Sequence, residues 1–268
     1  MNSDRLVMMA ENAENKVKKI LLMNGSPKKE RSGSLKLASA FVEGLTKTGN
    51  YETEVVHISA LNIKPCLGCL TCWAREDATC VIKDDDIPAL RKKIEDADIV
   101  ILCAGLFFFG LPGTVKVMMD RLLGMVNPYY GKPIPAGGKS LHGATKPHPG
   151  QRFILISSCA WIERDIVYAS VFTQLDMILG KENYIALTTP QMNAIVYHSG
   201  GRRLVKMQSN YRKAGEEYGS TGTVSQETID MLARPMFSDS VYQMFYEKMW
   251  RKPNGEYLLN EIHKESDR

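Results

Sequence analysis

The sequence predicts an open α/β fold: a five-stranded parallel sheet with helices on both faces. Three observations predict it. Short, nearly all-apolar runs alternate with longer runs of helical spacing. The short runs lack in–out alternation, as strands buried on both faces should. And 268 residues are enough to bury about 70–75% of the unfolded surface without disulfide staples.

The elements follow in order. Val17–Met23 (VKKILLM) is the first strand and runs into Asn24-Gly25-Ser26-Pro27, a loop signal. Leu35–Thr46 is a helix with Leu35, Ala38, Phe41 and Leu45 on one face, and Ser34 stands at its N-cap position. Tyr51–Ile58 is the second strand, and 59–83 a cysteine-bearing loop. Ile87–Asp96 is a helix with Ile87, Leu90 and Ile94 inward. Asp98–Ala104 is the third strand, Thr114–Val126 a helix, Arg152–Ser158 the fourth strand, Val167–Gly180 a helix and Tyr184–Thr189 the fifth strand. Parallel neighbours need right-handed crossovers, which places helices on both faces; the flavodoxin-like order 2-1-3-4-5 is the arrangement expected.

Three regions result: a tail over 1–16, an α/β domain over 17–190, and a helical extension over 191–268. Gly200–Tyr218 and Ser225–Leu232 have helical character within the extension, which is expected to make oligomer contacts or cover the site. Asn127–Gly150 carries Pro128, Pro133, Pro135, Pro147 and Pro149 and reads as a long loop.

Charge and hydropathy exclude several classes. Lys and Arg total 34 against 30 Asp and Glu, a net charge of +4, and no long basic block marks a nucleic-acid partner. The first residues show no basic-then-apolar secretory pattern. The longest apolar run, Ile99–Val115, is interrupted by Gly105, Gly110, Pro112 and Gly113 and is short for a membrane span. A cytoplasmic protein without a membrane partner is expected.

Two loops carry chemistry. After the first strand, Ser26, Ser32 and Ser34 offer hydroxyls, Gly33 permits close backbone approach, and the next helix begins with its partly positive end. The segment matches neither common phosphate-loop pattern. It reads equally as an anion site or as a polar loop with a serine cap. The second loop holds Cys66, Cys69, Cys72 and Cys80 as C-x2-C-x2-C-x7-C, whereas Cys103 and Cys159 fall in or beside apolar strands. Disulfides do not suit a reducing compartment, and zinc sites more often use two spaced ligand pairs. The spacing suits a cubane iron–sulfur cluster; packed or reactive thiols without metal fit it too. Trp73 stands ready to shield such a cluster or stack on a planar ligand. Asp84, Asp85 and Asp86 read as charges at a helix N-terminus.

Gly25-Ser26-Pro27 with Ser32-Gly33-Ser34, the run from Cys66 to Trp73, Cys80–Asp85, and Lys116 with Asp120-Arg121 resemble, in order and spacing, the flavodoxin-like NAD(P)H-dependent FMN reductases, which include the iron–sulfur flavoproteins. The resemblance covers about residues 18–190; His198–Gly201 and Ala214–Thr228 look like the tails of longer members. It implies FMN at the strand ends. The phosphate would lie on Ser26, Lys28, Ser32, Gly33 and Ser34. The ring would lie against Leu106, Phe107, Phe108, Phe109 and Gly110 after the third strand and Ser158, Cys159, Ala160 and Trp161 after the fourth. The family's ring loop usually reads Pro-x-Tyr; here Gly105, Leu106 and Phe107 stand there. Family members with such cysteines include both [4Fe-4S] flavoproteins, with Cys66, Cys69, Cys72 and Cys80 as the matching ligands, and plain flavoproteins.

The expected activity is hydride transfer from NAD(P)H to FMN and then electrons to a small-molecule acceptor: a quinone, a flavin or a nitro compound. No catalytic side chain is required, because the cofactor carries the chemistry and backbone N–H groups near Ser158–Trp161 can serve the ring's N1–O2 edge. Two alternatives stand beside it: an electron carrier with FMN and a [4Fe-4S] cluster reduced by ferredoxin, and a non-enzymatic cysteine-rich redox or metal sensor. A homodimer or higher homo-oligomer is expected from the family.

Overall fold

The computed structural model describes residues 17–126, 149–197 and 201–250. The expected tail over 1–16, most of the proline-rich loop and the last eighteen residues lie outside them. Five strands, β1 (Lys18–Asn24), β2 (Tyr51–His57), β3 (Ile99–Gly105), β4 (Arg152–Ser158) and β5 (Tyr184–Thr189), form one sheet in the order β2-β1-β3-β4-β5. Every pairing is parallel. This is the flavodoxin-like order expected from the apolar runs.

The helices are α1 (Gly33–Leu45), α2 (Ile87–Asp96), α3 (Gly113–Arg121), α4 (Arg164–Leu179), α5 (Met192–Tyr197), α6 (Arg202–Thr221), α7 (Gln226–Ala233) and α8 (Asp239–Trp250). One core joins Leu37, Phe41 and Leu45 of α1 to Ile101 and Ile156 of the sheet and to Tyr211, Leu232 and Phe237 beyond β5. A second joins Leu21 and Val100 to Leu90 of α2 and Val115 of α3. A third lies under α4 around Leu155, Tyr168 and Val171.

Helices α1 and α6 meet backbone to backbone. A Cβ on Gly44 would lie 1.9 Å from the Arg212 carbonyl oxygen, and one on Gly215 would lie 1.9 Å from that of Phe41. Only glycine permits that approach. The long helix after β5 is thereby locked beside the first helix, on the same sheet face.

Three expectations need correction. Ser32, not Ser34, caps α1: its hydroxyl accepts from the Leu35 N–H at 3.3 Å. The helix expected over Thr114–Val126 ends at Arg121 and continues as a tight turn over Leu123–Met125. Gly124 of that turn is pressed against the cysteine loop, where a Cβ would sit 2.0 Å from the Ala78 carbonyl oxygen. Finally, α5 and α8 form where no helix was expected. Among the described residues no helix is long and apolar enough to cross a membrane.

Candidate functional site

Ligands of open α/β folds bind beyond the carboxyl ends of the strands, and four loops meet there. The first leaves β1 at Asn24, a fully buried side chain that organises the turn. Its Oδ1 accepts from the Ser26 N–H at 3.1 Å, and its Nδ2 donates to the Lys29 carbonyl at 3.1 Å and faces His57 Nδ1 at 3.0 Å. Gly25 follows; a Cβ there would lie 2.3 Å from Val115 Cγ2. The Lys28 N–H donates to Ser26 Oγ at 3.3 Å, and a short turn over Lys29–Arg31 leads into the Ser32 cap. Ser26, Ser32 and Ser34 are all buried. The amides of Gly33 and Ser34 open α1 ahead of its first i→i−4 bond, the usual anion-facing position.

The second loop follows β3. The Leu106 N–H donates to the Ser158 carbonyl at 2.8 Å, and Phe107 and Gly110 exchange two backbone bonds of 2.9 Å. Between them Phe108 and Phe109 both adopt positive φ, 46° and 58°. Phe108 is 99% exposed. Phe109 stacks on Trp161, ring centroids 5.7 Å apart, and its carbonyl accepts from the Ser170 hydroxyl. Phe109 and Trp161, expected ring residues of the loops after β3 and β4, are therefore brought together, whereas Phe108 points away into solvent.

The loop after β4 is the most constrained. Ser158 Oγ lies 2.7 Å from Ser34 Oγ, joining this loop to the first. The Cys159 N–H donates to the Thr189 carbonyl at 3.0 Å. The next three carbonyls are all held from beyond β5: Cys159 O accepts from the Met192 N–H at 2.8 Å, Ala160 O from the Tyr242 hydroxyl, and Trp161 O from the Gln191 N–H at 3.1 Å. The amides of Ala160, Trp161 and Ile162 make no hydrogen bond within the described residues. Met192 also packs on the entry to α1, where a Cβ on Gly33 would lie 2.6 Å from Met192 Cε.

The fourth loop carries the cysteines. Cys66 and Cys69 are exposed; Cys72 and Cys80 are half-buried. Positive φ at Gly68 (66°) and Leu70 (54°) turns the backbone around them. The Cys66 sulfur accepts from the Gly68 N–H at 3.4 Å, and that of Cys69 from the Thr71 hydroxyl at 3.3 Å. The Thr71 bonds hold the Cys69 thiol below its ordinary pKa, whereas burial and then the neighbouring Cys80, Cys66 and Cys69 push Cys72 up. Trp73 donates its indole N–H to the Leu123 carbonyl at 3.1 Å. At the base lies Arg121, wholly buried and paired two-pronged with Asp85. It also donates to the carbonyls of Lys64 at 2.7 Å and Ile82 at 3.1 Å. Burial opposes the charge on Asp85, but Arg121 and the amides of Lys64 and Ile87 outweigh it and hold the carboxyl below the usual range. Of the three aspartates expected as charges at the α2 N-terminus, Asp85 accepts from the Ile87 N–H at 3.2 Å, whereas Asp86 accepts from the Asn62 N–H at 2.7 Å and Asp84 pairs with Lys64.

Among the described residues no three Cys, His, Asp or Glu side chains stand close enough to hold a metal ion. As placed, the four cysteines do not form the cage a cluster needs. The FMN side of the expectation fits better: two opening amides and serine hydroxyls at α1, and three unengaged amides opposite them at 160–162.

Sequence reading missed Asn24, Gln191 and Tyr242. Asn24 left a signal, a polar residue ending an apolar strand. Tyr242 left none, because its partner lies 82 residues away.

An open parallel sheet with strand order 2-1-3-4-5 and loops converging at its carboxyl edge defines a flavodoxin-like nucleotide-binding protein. Residues 18–169 match the model of the NADPH-dependent FMN reductase family, and the chain belongs to that family. The chain is similar to an iron–sulfur flavoprotein of Archaeoglobus fulgidus, 34% identical over 109 residues, 41% of this chain and 46% of that protein. It is similarly related to an iron–sulfur flavoprotein of Methanosarcina thermophila, 34% identical over 103 residues, 38% of this chain and 51% of the other. The chain spans about half the length of the curated relatives it matches. The fold is shared with the NAD(P)H:quinone oxidoreductase from Methanothermobacter marburgensis (TM-score 0.51, 18% identity, covering 75% of this chain and 96% of that one). It is also shared with an FMN-dependent NADH-azoreductase from Bacillus anthracis (TM-score 0.51, 13% identity, covering 76% and 100%).

Proposed function

We propose that the protein is an FMN-dependent NAD(P)H oxidoreductase that delivers electrons to a small-molecule acceptor such as a quinone, a flavin or a nitro compound. The observation that carries the reading is the pair of donor sets facing the same rim: the capped α1 N-terminus and the unengaged amides of Ala160, Trp161 and Ile162. Bound FMN supplies the hydride and electron exchange. The chain does the rest. Gly33 and Ser34 amides and the Ser26, Ser32 and Ser34 hydroxyls receive the phosphate, with Lys28 adding charge. Phe109 and Trp161 give the ring an aromatic wall, Phe107 borders it, and the amides after Cys159 meet the edge where negative charge develops. No side chain acts as acid or base. The segment beyond β5 serves as cover, and the working unit is a cytoplasmic homodimer.

A second reading is an electron carrier with FMN and a [4Fe-4S] cluster, reduced by ferredoxin. It is favoured by the names of the relatives and by the C-x2-C-x2-C-x7-C spacing of Cys66, Cys69, Cys72 and Cys80.

The test is a visible spectrum of protein purified without oxygen, with iron measured on the same sample and NADH and NADPH oxidation followed with each acceptor class. Flavin bands without iron, with nicotinamide turnover, support the first reading. About four irons per chain, with reduction by ferredoxin and not by nicotinamide, would replace it with the second. A colourless chain that takes up no FMN would overturn both and leave a thiol sensor.

A further inference from the structure

We propose that the segment beyond β5 fixes the direction of the amides that receive the flavin edge, with Gln191 and Tyr242 as its positioning residues. The inference rests on the FMN reading and goes beyond it by assigning a role to residues outside the nucleotide loops.

The argument is peptide geometry. In a trans peptide the C=O and the following N–H point in opposite directions. Holding a carbonyl therefore aims the next amide the other way. Cys159 O, Ala160 O and Trp161 O are held in turn by the Met192 N–H, the Tyr242 hydroxyl and the Gln191 N–H. The N–H groups of Ala160, Trp161 and Ile162 are accordingly turned away from the extension, and none has a partner among the described residues. Successive amides turned out of a loop make an anion-facing concavity.

The two positioning residues are themselves built in. Gln191 is fully buried and adopts φ +54°, a left-handed conformation that non-glycine residues rarely keep without reason. Its side chain closes a two-bond ring with the Phe237 backbone: Nε2 donates to the carbonyl and Oε1 accepts from the N–H, each at 2.9 Å. One residue thus ties Trp161 to the segment leading into α8. Arg203 reinforces that segment, lying over the Phe237 ring at 3.9 Å and donating to the Met236 carbonyl. From α8, Tyr242 reaches back to Ala160, its ring packed edge-on to Tyr246 at 5.0 Å. Tyr242 is 5% exposed, so its hydroxyl serves the Ala160 carbonyl and the neighbouring Tyr246 rather than solvent.

The experiment uses the full chain. FMN affinity is measured by quenching of flavin fluorescence, and the flavin midpoint potential on the loaded protein. Tyr242→Phe removes the hydroxyl, with its bond to Ala160 and its contact with the Tyr246 hydroxyl, and keeps the ring. Its FMN Kd is expected to rise about tenfold, the size of one hydrogen bond. Its potential is expected to become more negative, because fewer aligned donors meet the negative charge of the reduced ring. The thermal midpoint of the FMN-free chain should stay near wild type. Leu232→Ala, a fully buried apolar residue of the same extension whose side chain donates no hydrogen bond to the loop, should lower the thermal midpoint and leave Kd and potential unchanged. Wild-type Kd and potential in Tyr242→Phe, or equal shifts in Leu232→Ala, would overturn the assignment. A wild-type chain that does not bind FMN would instead overturn the functional reading on which it rests, and is recognised before any variant is compared.

Discussion

Two loops on the same rim are held by opposite strategies. The loop after β4 is fastened by many small bonds: three consecutive carbonyls, one amide and one serine hydroxyl, each with its own partner. The cysteine loop is gathered at its base by one buried cation, Arg121, which holds Lys64, Ile82 and Asp85, with Arg91 on the Ala78 carbonyl at 2.7 Å and Trp73 on the Leu123 carbonyl at 3.1 Å beyond it, while Cys66 and Cys69 stay exposed. Distributed bonding keeps a loop folded when one member is lost. A principal keystone does not, but it leaves the thiols of its loop free to respond to what they meet.

That contrast can be broken most directly at Arg121. Arg121→Ala leaves the Asp85 carboxylate buried and unpaired and should cost about 3–5 kcal/mol. Urea denaturation measures the loss, and thiol titration should show Cys80 reacting faster. The fastening of the β4 loop depends in turn on the α1–α6 contact that seats the extension. Gly215→Ala forces a methyl against the Phe41 carbonyl and should cost about 3 kcal/mol, the upper end for overpacking, again read from urea curves.

Acid tests the keystone without mutation. The Asp85 carboxyl is held below its ordinary value. Its contribution is therefore fully present above the unfolded aspartate pKa, about 3.9, and is lost as pH falls through the depressed folded value. Urea midpoints of wild type and Asp85→Asn should converge over that acidic range and stay apart near neutrality; a constant gap would contradict the Asp85–Arg121 account. The smallest expected effect lies at the strained tip of the β3 loop. Phe108→Gly relieves a positive φ at a side chain that contacts little and should stabilise by about 0.5–1 kcal/mol, the left-handed cost less glycine's entropy. Thermal unfolding checks it.

The fold was legible because β1, β3 and β4 carry short apolar runs, while the edge strand β2 is largely polar and exposed; the strand order came from the common arrangement of such sheets and not from hydropathy. The candidate rim was legible where it is local: Ser26 to Ser34 and the four cysteines announce themselves by spacing. Positions fixed by tertiary contact were not. Ser34 looked like the cap because the apolar stripe begins at Leu35, yet α1 starts two residues earlier and Ser34 turns to Ser158 instead. The α3 helix stops short of its apolar pattern because Gly124 must approach Ala78. Nothing in the run from Asp239 to Trp250 announces a bond from Tyr242 to Ala160.

The carbonyl held by Tyr242 also bears on the order in which the molecule is made. A nascent chain that has emerged as far as β5 already contains the whole sheet and the serine loop. It still lacks the hydroxyl that sets Ala160, which arrives 82 residues after the carbonyl it holds. The rim is thus finished from the far end of the described chain, and a molecule cut between α6 and α8 would lack the last fastening of its β4 loop.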